Sequence, residues 1–225
     1  MQARWVTFDC FGTLVDWHTG FSAILTPLIG DRTPELLRAY HKFERAVEAE
    51  RPHQLYKDVL VTSLLRAASE LGVNLSESQA RLLPQSWGHL PVYPDVEEML
   101  SGLRAMGCRL GVLTNCDEDL FEQTHRCFRQ PFDLVVTAER VRDYKPSLNH
   151  FRVFSRTSGV AHNEWVHVAC SWFHDIAPAA EFGIRRIWLD RDETGEDAAI
   201  ASAHVRSASE ICATIKRIDL ISSPF

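Results

Sequence analysis

The 225-residue chain has no long hydrophobic run, no internal repeat, no low-complexity tract and no long block of like charge. No apolar run reaches the roughly 20 residues that span a bilayer, and no charged segment followed by an apolar stretch opens the chain. We therefore expect neither a membrane anchor nor a signal peptide, and place the protein in the cytoplasm.

Positive charge is also in short supply, with 24 Lys and Arg against 30 Asp and Glu and a formal net charge of -6. A nucleic-acid-binding protein usually carries the opposite excess, so we expect no nucleic-acid partner. Any small anionic substrate must then be attracted by a few local cationic groups.

Cysteine is present, but not in a pattern that binds metal. The six cysteines form no C-x-x-C pair and no spacing typical of zinc ligands, which favours reduced thiols in a cytosolic protein. Hydrophobic residues make up 45% of the chain, enough to bury one sizeable core and to exclude general disorder.

The hydrophobic pattern divides the chain into a helical segment and an alternating segment. One apolar strand precedes Asp9, and residues 15–90 then show only helical periodicity, with a capping-box pattern at Ser76 and Gln79. Beyond Pro94, strands predicted at 109–114, 132–137, 165–169 and 185–189 alternate with helices. This order predicts an α/β fold with a doubly wound parallel sheet. We expect a core domain from residues 1–14 and 91–225, and an inserted helical domain from residues 15–90.

Polar side chains follow the predicted strands at their carboxyl ends, which in a parallel sheet converge on one crevice. Taken singly, each has an ordinary explanation as a turn residue, a helix cap or a solvated lysine. Their joint occurrence on successive strand ends instead favours one site. The residues are Asp9 and Thr13 with Gly12 between them, Thr114 and Asn115, Lys145 before Pro146, and Ser171 with Asp175.

In this order of motifs the chain resembles the haloacid dehalogenase-like hydrolase superfamily, and in particular its type II 2-haloacid dehalogenases. The resemblance covers nearly the whole chain and implies a Rossmann-like core with a helical cap inserted after the first strand. It implies that Asp9 is a nucleophile that forms an ester with substrate, that Lys145 keeps this carboxylate ionised, and that Asp175 positions the hydrolytic water. It further implies that Thr13, Thr114 and Asn115 orient the nucleophile and hold the substrate, and it favours a homodimer.

Phe11 separates two chemistries within that superfamily. Related phosphatases typically carry a second Asp at this position, because a departing alkoxide needs a proton from a general acid. A halide leaves as a weak base without a proton, so Phe11 favours carbon–halogen cleavage. The last loop has only Asp175 where phosphatases have several carboxylates for Mg²⁺, and we therefore expect no metal and no cofactor.

The sequence also departs from the dehalogenase pattern. Type II enzymes typically carry an Arg on an early cap helix that binds the halide, and none stands clearly in register here. The halide-binding candidates are Arg38, His41, Lys42 and Arg45. In the last loop Trp172 replaces the usual Asn, and we expect Cys10, Phe11, Ser171 and Trp172 to line the substrate pocket.

Three histidines near the last loop, His162, His167 and His174, show no ligand spacing and are predicted to be structural.

The preferred function is that of an (S)-2-haloacid dehalogenase. The alternatives are a Mg²⁺-dependent phosphohydrolase of a small phosphate ester and a catalytically silent binding protein.

Overall fold

The computed structural model describes residues 4–221, in which six parallel strands form one sheet with helices packed around it. The strands in chain order are β1 Trp5–Phe8, β2 Arg109–Thr114, β3 Leu134–Thr137, β4 Trp165–Ala169, β5 Arg185–Leu189 and β6 Ala203–Val205. Their order across the sheet is β3-β2-β1-β4-β5-β6, so the chain winds outward in both directions from a central β1. The predicted doubly wound parallel sheet is confirmed.

The central strands are buried on both faces, as is usual where helices cover both sides of a parallel sheet. Every side chain of β1 and β4 is buried. The predicted limits of β2, β4 and β5 agree with the structure, while β3 begins at Leu134 rather than at residue 132. Strand β6 was not predicted, because Ala203-His-Val205 is too short to show a pattern.

Eleven α-helices are found within residues 4–221. Between β1 and β2 lie α1 Trp17–Ile29, α2 Thr33–Glu48, α3 Tyr56–Glu70, α4 Glu77–Ala80, α5 Leu82–Gln85 and α6 Val96–Ala105. Later in the chain come α7 Glu118–His125, α8 Ala138–Val141, α9 Asn149–Ser158, α10 Ala177–Phe182 and α11 Ile211–Ile221. The capping box at Ser76 and Gln79 is confirmed, whereas α11 was not predicted.

We call α1 to α5 the helical insertion, residues 17–85. Its centre is the α2–α3 pair, in which Leu37 and Tyr40 of α2 and Leu60 and Leu64 of α3 belong to the buried core. The insertion corresponds to the cap domain predicted for residues 15–90. That domain boundary stays a prediction, and the terminal limits at residues 1 and 225 lie outside the described residues.

A core carboxylate fixes the start of α3. Leu55 at the N-cap offers no side-chain acceptor, and Asp117 of the core accepts hydrogen bonds from the backbone N–H groups of Tyr56 at 2.7 Å and Lys57 at 2.9 Å. These two donors would otherwise lack intrahelical partners. Asp117 therefore ties the insertion to the carboxyl end of β2.

Among residues 4–221, no helix has both the length and the apolar character that a membrane crossing requires.

Candidate active site

The carboxyl ends of three neighbouring strands bring the predicted polar residues together. Phe8 pairs in register with Val112 of β2 and Val168 of β4, so the residues that follow these strands lie at one edge of the sheet. Asp9 follows β1 directly, and Asp175 lies in a π-helical turn, Trp172–Ile176, after β4. The order of the strands, rather than closeness in sequence, creates the site.

Lys145 lies at the centre of this edge, and its side chain is only 1% exposed. Its Nζ donates hydrogen bonds to Asp9 Oδ1 at 2.8 Å, to Asp175 Oδ1 at 2.7 Å and to the carbonyl oxygen of Leu113 at 2.9 Å. All three ammonium protons therefore have acceptors. Burial alone would lower the pKa of Lys145, but the two carboxylates outweigh it and raise that pKa.

Asp9 is held at both of its oxygens. Oδ1 accepts from Lys145, and Oδ2 accepts from the Thr13 hydroxyl at 2.9 Å. Thr13 Oγ1 in turn accepts from the backbone N–H of Cys170 at 2.9 Å. This bond connects the loop after β1 to the loop after β4. Burial raises the pKa of Asp9, and the Lys145 charge opposes that rise. An ionised Asp9 therefore depends on Lys145.

Gly12 allows this tight turn. Its φ is +92°, and a Cβ atom at this position would lie 2.7 Å from Cys170 Sγ. Any other residue would strain the backbone and push the last loop away from Asp9.

Asp175 is fully buried but remains charged. Burial raises its pKa, but Lys145 and a hydrogen bond from His167 outweigh that effect and lower the pKa to about 2. Its Oδ1 takes both donors, whereas Oδ2 has no hydrogen-bond partner within residues 4–221. Asp175 therefore keeps one buried oxygen without a donor among these residues.

The other predicted substrate-binding residues lie at the same edge, but most of their polar atoms are already bonded. Asn115 donates to Glu48 Oε1 and to the Lys145 carbonyl, each at 3.2 Å, and accepts from the Lys145 N–H at 2.7 Å. The Thr114 hydroxyl donates to Cys116 Sγ, and Ser171 Oγ caps the π-helical turn by accepting from the His174 N–H.

A cavity of about 1000 Å³ lies between this edge and the helical insertion. Phe11 and Trp172 line it, and the Phe11 ring packs against Trp87 of the insertion with centroids 4.6 Å apart. Cys10 is fully buried, and burial raises the pKa of its thiol. Cys10 is outside the cavity lining, so it packs beneath the site rather than in it.

The four halide-binding candidates on α2 divide into two pairs. His41 and Arg45 line the cavity. Arg38 is exposed and outside the lining, and Lys42 forms an ion pair with Glu70 at 2.9 Å on the outer surface. The structure therefore brings only His41 and Arg45 to the site.

Two carboxyl groups of α2 face the same cavity and were missed in the sequence. Glu44 Oε1 accepts from the hydroxyls of Tyr40 at 2.7 Å and Tyr56 at 2.5 Å. Glu48 is 6% exposed, and burial together with the neighbouring Glu44 raises its pKa well above the usual value. The signal was available, because both glutamates interrupt the apolar stripe of an amphipathic helix.

The donors at the strand ends fit Mg²⁺ poorly. Magnesium prefers several oxygen ligands in octahedral geometry. Here Asp9 and Asp175 each direct Oδ1 to the Lys145 ammonium, which supplies the positive charge between them. No group of three His, Cys, Asp or Glu side chains among residues 4–221 is placed to share a metal.

Known proteins show the same fold and family. The sequence profile of the family described as haloacid dehalogenase-like hydrolase matches residues 6–189. The (S)-2-haloacid dehalogenase H-109 of Pseudomonas putida is 25% identical over 230 residues, covering 92% of this chain and 95% of that protein. A phosphoserine phosphatase of Thermus thermophilus is 32% identical over 109 residues, covering 48% of this chain and 44% of that protein.

Among solved structures, the L-2-haloacid dehalogenase of Xanthobacter autotrophicus with chloropropionic acid covalently bound superposes with a TM-score of 0.80. Its sequence identity is 18%, and the match covers 96% of this chain and 99% of that chain. At this identity the likeness concerns the fold.

Proposed function

The chain belongs to the haloacid dehalogenase-like hydrolase family, and on that premise we propose that it cleaves the carbon–halogen bond of a small 2-haloalkanoate through an ester on Asp9. One observation carries the proposal: Asp9, Lys145 and Asp175 form a compact buried cluster, and an apolar Phe11 stands where a general acid would serve a poorer leaving group.

The first step is a displacement at carbon. A carboxylate oxygen of Asp9 attacks the α-carbon of the substrate, the new carbon–oxygen bond forms as the carbon–halogen bond breaks, and the halide leaves with the bonding electron pair. The configuration at the α-carbon is inverted. Lys145 and Thr13 hold Asp9 ionised and oriented for this attack.

The second step returns Asp9 to its starting state. Water gives a proton to Asp175 Oδ2 and attacks the carbonyl carbon of the ester. The bond between that carbonyl carbon and the substrate oxygen breaks, and the 2-hydroxy acid leaves with an oxygen that came from Asp9. The water oxygen stays in the Asp9 carboxylate. The proton taken up by Asp175 goes to the departing alkoxide oxygen of the product, and the second proton of the water is released to solvent.

The helical insertion supplies the other side of the pocket. We place the halide beside His41, whose ring packs edge-on against Trp17 with centroids 4.6 Å apart. Arg45, stacked over Phe173 at 4.8 Å, lies at the rim, where it can attract an anionic substrate. Thr114 and Asn115 remain the proposed contacts for the substrate carboxylate, although Asn115 must exchange its bond to Glu48 to make one.

The test measures halide release from 2-chloro- and 2-fluoro-alkanoates beside phosphate release from an aryl phosphate, each with Mg²⁺ and with a chelator. We expect halide release that is insensitive to the chelator and lost in Asp9→Asn. Asp31→Asn is the matched control, because Asp31 is exposed and outside the cavity lining. Mg²⁺-dependent phosphate release without halide release would overturn the proposal, and no Asp9-dependent turnover would favour a binding protein.

A further inference from the structure

A histidine lies beneath the active site, inside the sheet. His167 is the middle residue of β4, between two valines, and its side chain is completely buried. A buried imidazole costs free energy unless both of its nitrogens are hydrogen-bonded. Both are bonded here: Nε2 lies 3.0 Å from Asp175 Oδ1, and Nδ1 lies 2.9 Å from Thr7 Oγ1.

The partners of His167 specify its tautomer. The Asp175 carboxylate only accepts, so Nε2 carries the hydrogen of that bond. In the tautomer with its hydrogen on Nε2, Nδ1 accepts, and its partner is the Thr7 hydroxyl at 2.9 Å. Thr7 Oγ1 itself accepts from the Trp165 indole N–H at 2.7 Å, so its hydroxyl proton is free to be donated to His167.

These bonds form one directed chain across two neighbouring strands. It runs from Trp165 Nε1–H to the Thr7 hydroxyl, then to His167, and ends on Asp175. Thr7 and His167 are register partners in the β1–β4 ladder, and all four side chains are completely buried. The rigid sheet therefore sets where the imidazole points.

This chain of hydrogen bonds ends on Asp175 Oδ1, the oxygen that Lys145 also contacts. Oδ1 thus receives two donors from different directions, which fixes the plane of the carboxylate, and Oδ2 is left without a donor among residues 4–221. Lys145 alone cannot do this, since it is shared with Asp9 and must respond when Asp9 becomes an uncharged ester.

We propose that His167 is a positioning residue for the second half-reaction, holding Asp175 so that Oδ2 meets the water that hydrolyses the Asp9 ester. This inference rests on the proposed function. It replaces the purely structural role predicted for His167 from the sequence. It also separates the two steps, because formation of the ester needs Asp9 and Lys145 but does not need Asp175 Oδ2.

The test compares His167→Met, which keeps an apolar side chain of similar length, with His167→Gln, whose amide N–H can replace Nε2–H. Rapid-quench kinetics measure the first halide equivalent, and intact-mass spectrometry measures the adduct on Asp9. In His167→Met we expect halide release in the first turnover within about twofold of wild type. We expect hydrolysis slowed about tenfold to a hundredfold, the cost of one hydrogen bond to a charged group, so that the adduct accumulates.

His167→Gln should recover most of the lost hydrolysis rate. His125→Gln is the control, because that half-buried histidine packs against Phe121 and Phe132, away from the cavity. Should His167→Met fail to fold, Thr7→Val removes the hydroxyl that sets the tautomer and should slow hydrolysis by a few-fold with the same selectivity for the second step.

The outcomes are distinguishable. A wild-type protein that releases no halide from a 2-haloalkanoate overturns the proposed function and this inference with it. Wild-type turnover combined with normal ester hydrolysis in His167→Met, or with equal slowing of both steps, overturns the inference alone.

Discussion

Replacing Lys145 with methionine should make both stability and activity depend more strongly on pH. The substitution keeps the length and apolar stem of the side chain but removes the charge that Asp9 and Asp175 share at 2.8 and 2.7 Å. Two buried carboxylates would then face each other without a counter-ion. Removing one partner of a buried ion pair typically costs about 3–5 kcal/mol of unfolding free energy.

The folded variant can reduce that cost by binding a proton. Burial already raises the pKa of Asp9, and Lys145 is the main group that opposes this effect, so its loss raises the pKa of Asp9 further above the unfolded value of about 3.9 and removes the charge that lowers the pKa of Asp175. A pKa raised by folding means that stability is greatest below about pH 4. That stability is then lost as the pH rises through the pKa of the folded state. The variant should therefore be closest to wild type near pH 4–5 and most destabilised at pH 8.

Activity should move in the opposite direction with pH, because a protonated Asp9 is no nucleophile. Each unit by which its pKa exceeds the pH removes a factor of about ten from the ionised form, so halide release at pH 7 should fall well below that of wild type and recover as the pH rises. Urea unfolding followed by tryptophan fluorescence measures stability at pH 5 and 8, and halide release measures activity over the same range.

Lys57→Met is the matched control. Lys57 Nζ bonds Asp119 at 2.6 Å and lies 3.9 Å from the buried Asp117, but its side chain is 32% exposed, and partly solvated pairs of this kind contribute about 1 kcal/mol. A Lys145→Met variant as stable as Lys57→Met at pH 8, with normal halide release at pH 7, would refute the reasoning.

Three other substitutions test separate parts of the account. Asp175→Asn should release one equivalent of halide and then stop with the ester on Asp9, since no base remains for the water; steady turnover without an adduct in the intact mass would contradict this. His41→Ala should raise KM for the haloacid several-fold, whereas Arg38→Ala, outside the cavity, should leave it unchanged; equal effects would remove His41 from the halide pocket. Asp117→Asn should lower the unfolding free energy by about 1–2 kcal/mol, because the carboxylate caps the first turn of α3; an unchanged urea midpoint would show that the cap is dispensable.

The sheet and the cluster around Lys145 were predictable because each leaves a strong local signal. Strands β2, β4 and β5 are short apolar runs bounded by polar residues, and Asp9, Lys145 and Asp175 each follow a distinct element of the alternating pattern. Parallel strand ends converge by topology, so position in the order of elements was enough to bring these residues together.

The cavity side was less predictable, because it depends on which way side chains of one helix turn. Arg38, Lys42 and Arg45 are all cations on one helix, so the sequence does not distinguish them. The packing of α2 against α3 decides which of them face the site. Glu44 and Glu48 stand out in the sequence only because they interrupt the apolar stripe of α2. Asp190 opens an acidic segment of the sequence and is nevertheless buried, where it accepts a hydrogen bond from the Thr194 N–H at 3.0 Å. That contact depends on a local turn rather than on hydropathy.

Covalent attack by Asp9 is tested most directly by one turnover in H₂¹⁸O with the enzyme in excess over a 2-haloalkanoate. We expect the first 2-hydroxy acid to carry unlabelled oxygen and ¹⁸O to enter the carboxylate of Asp9, detected in the peptide that contains it. Label in the product of that first turnover, with none in Asp9, would mean that water attacks the substrate directly and would contradict the central claim.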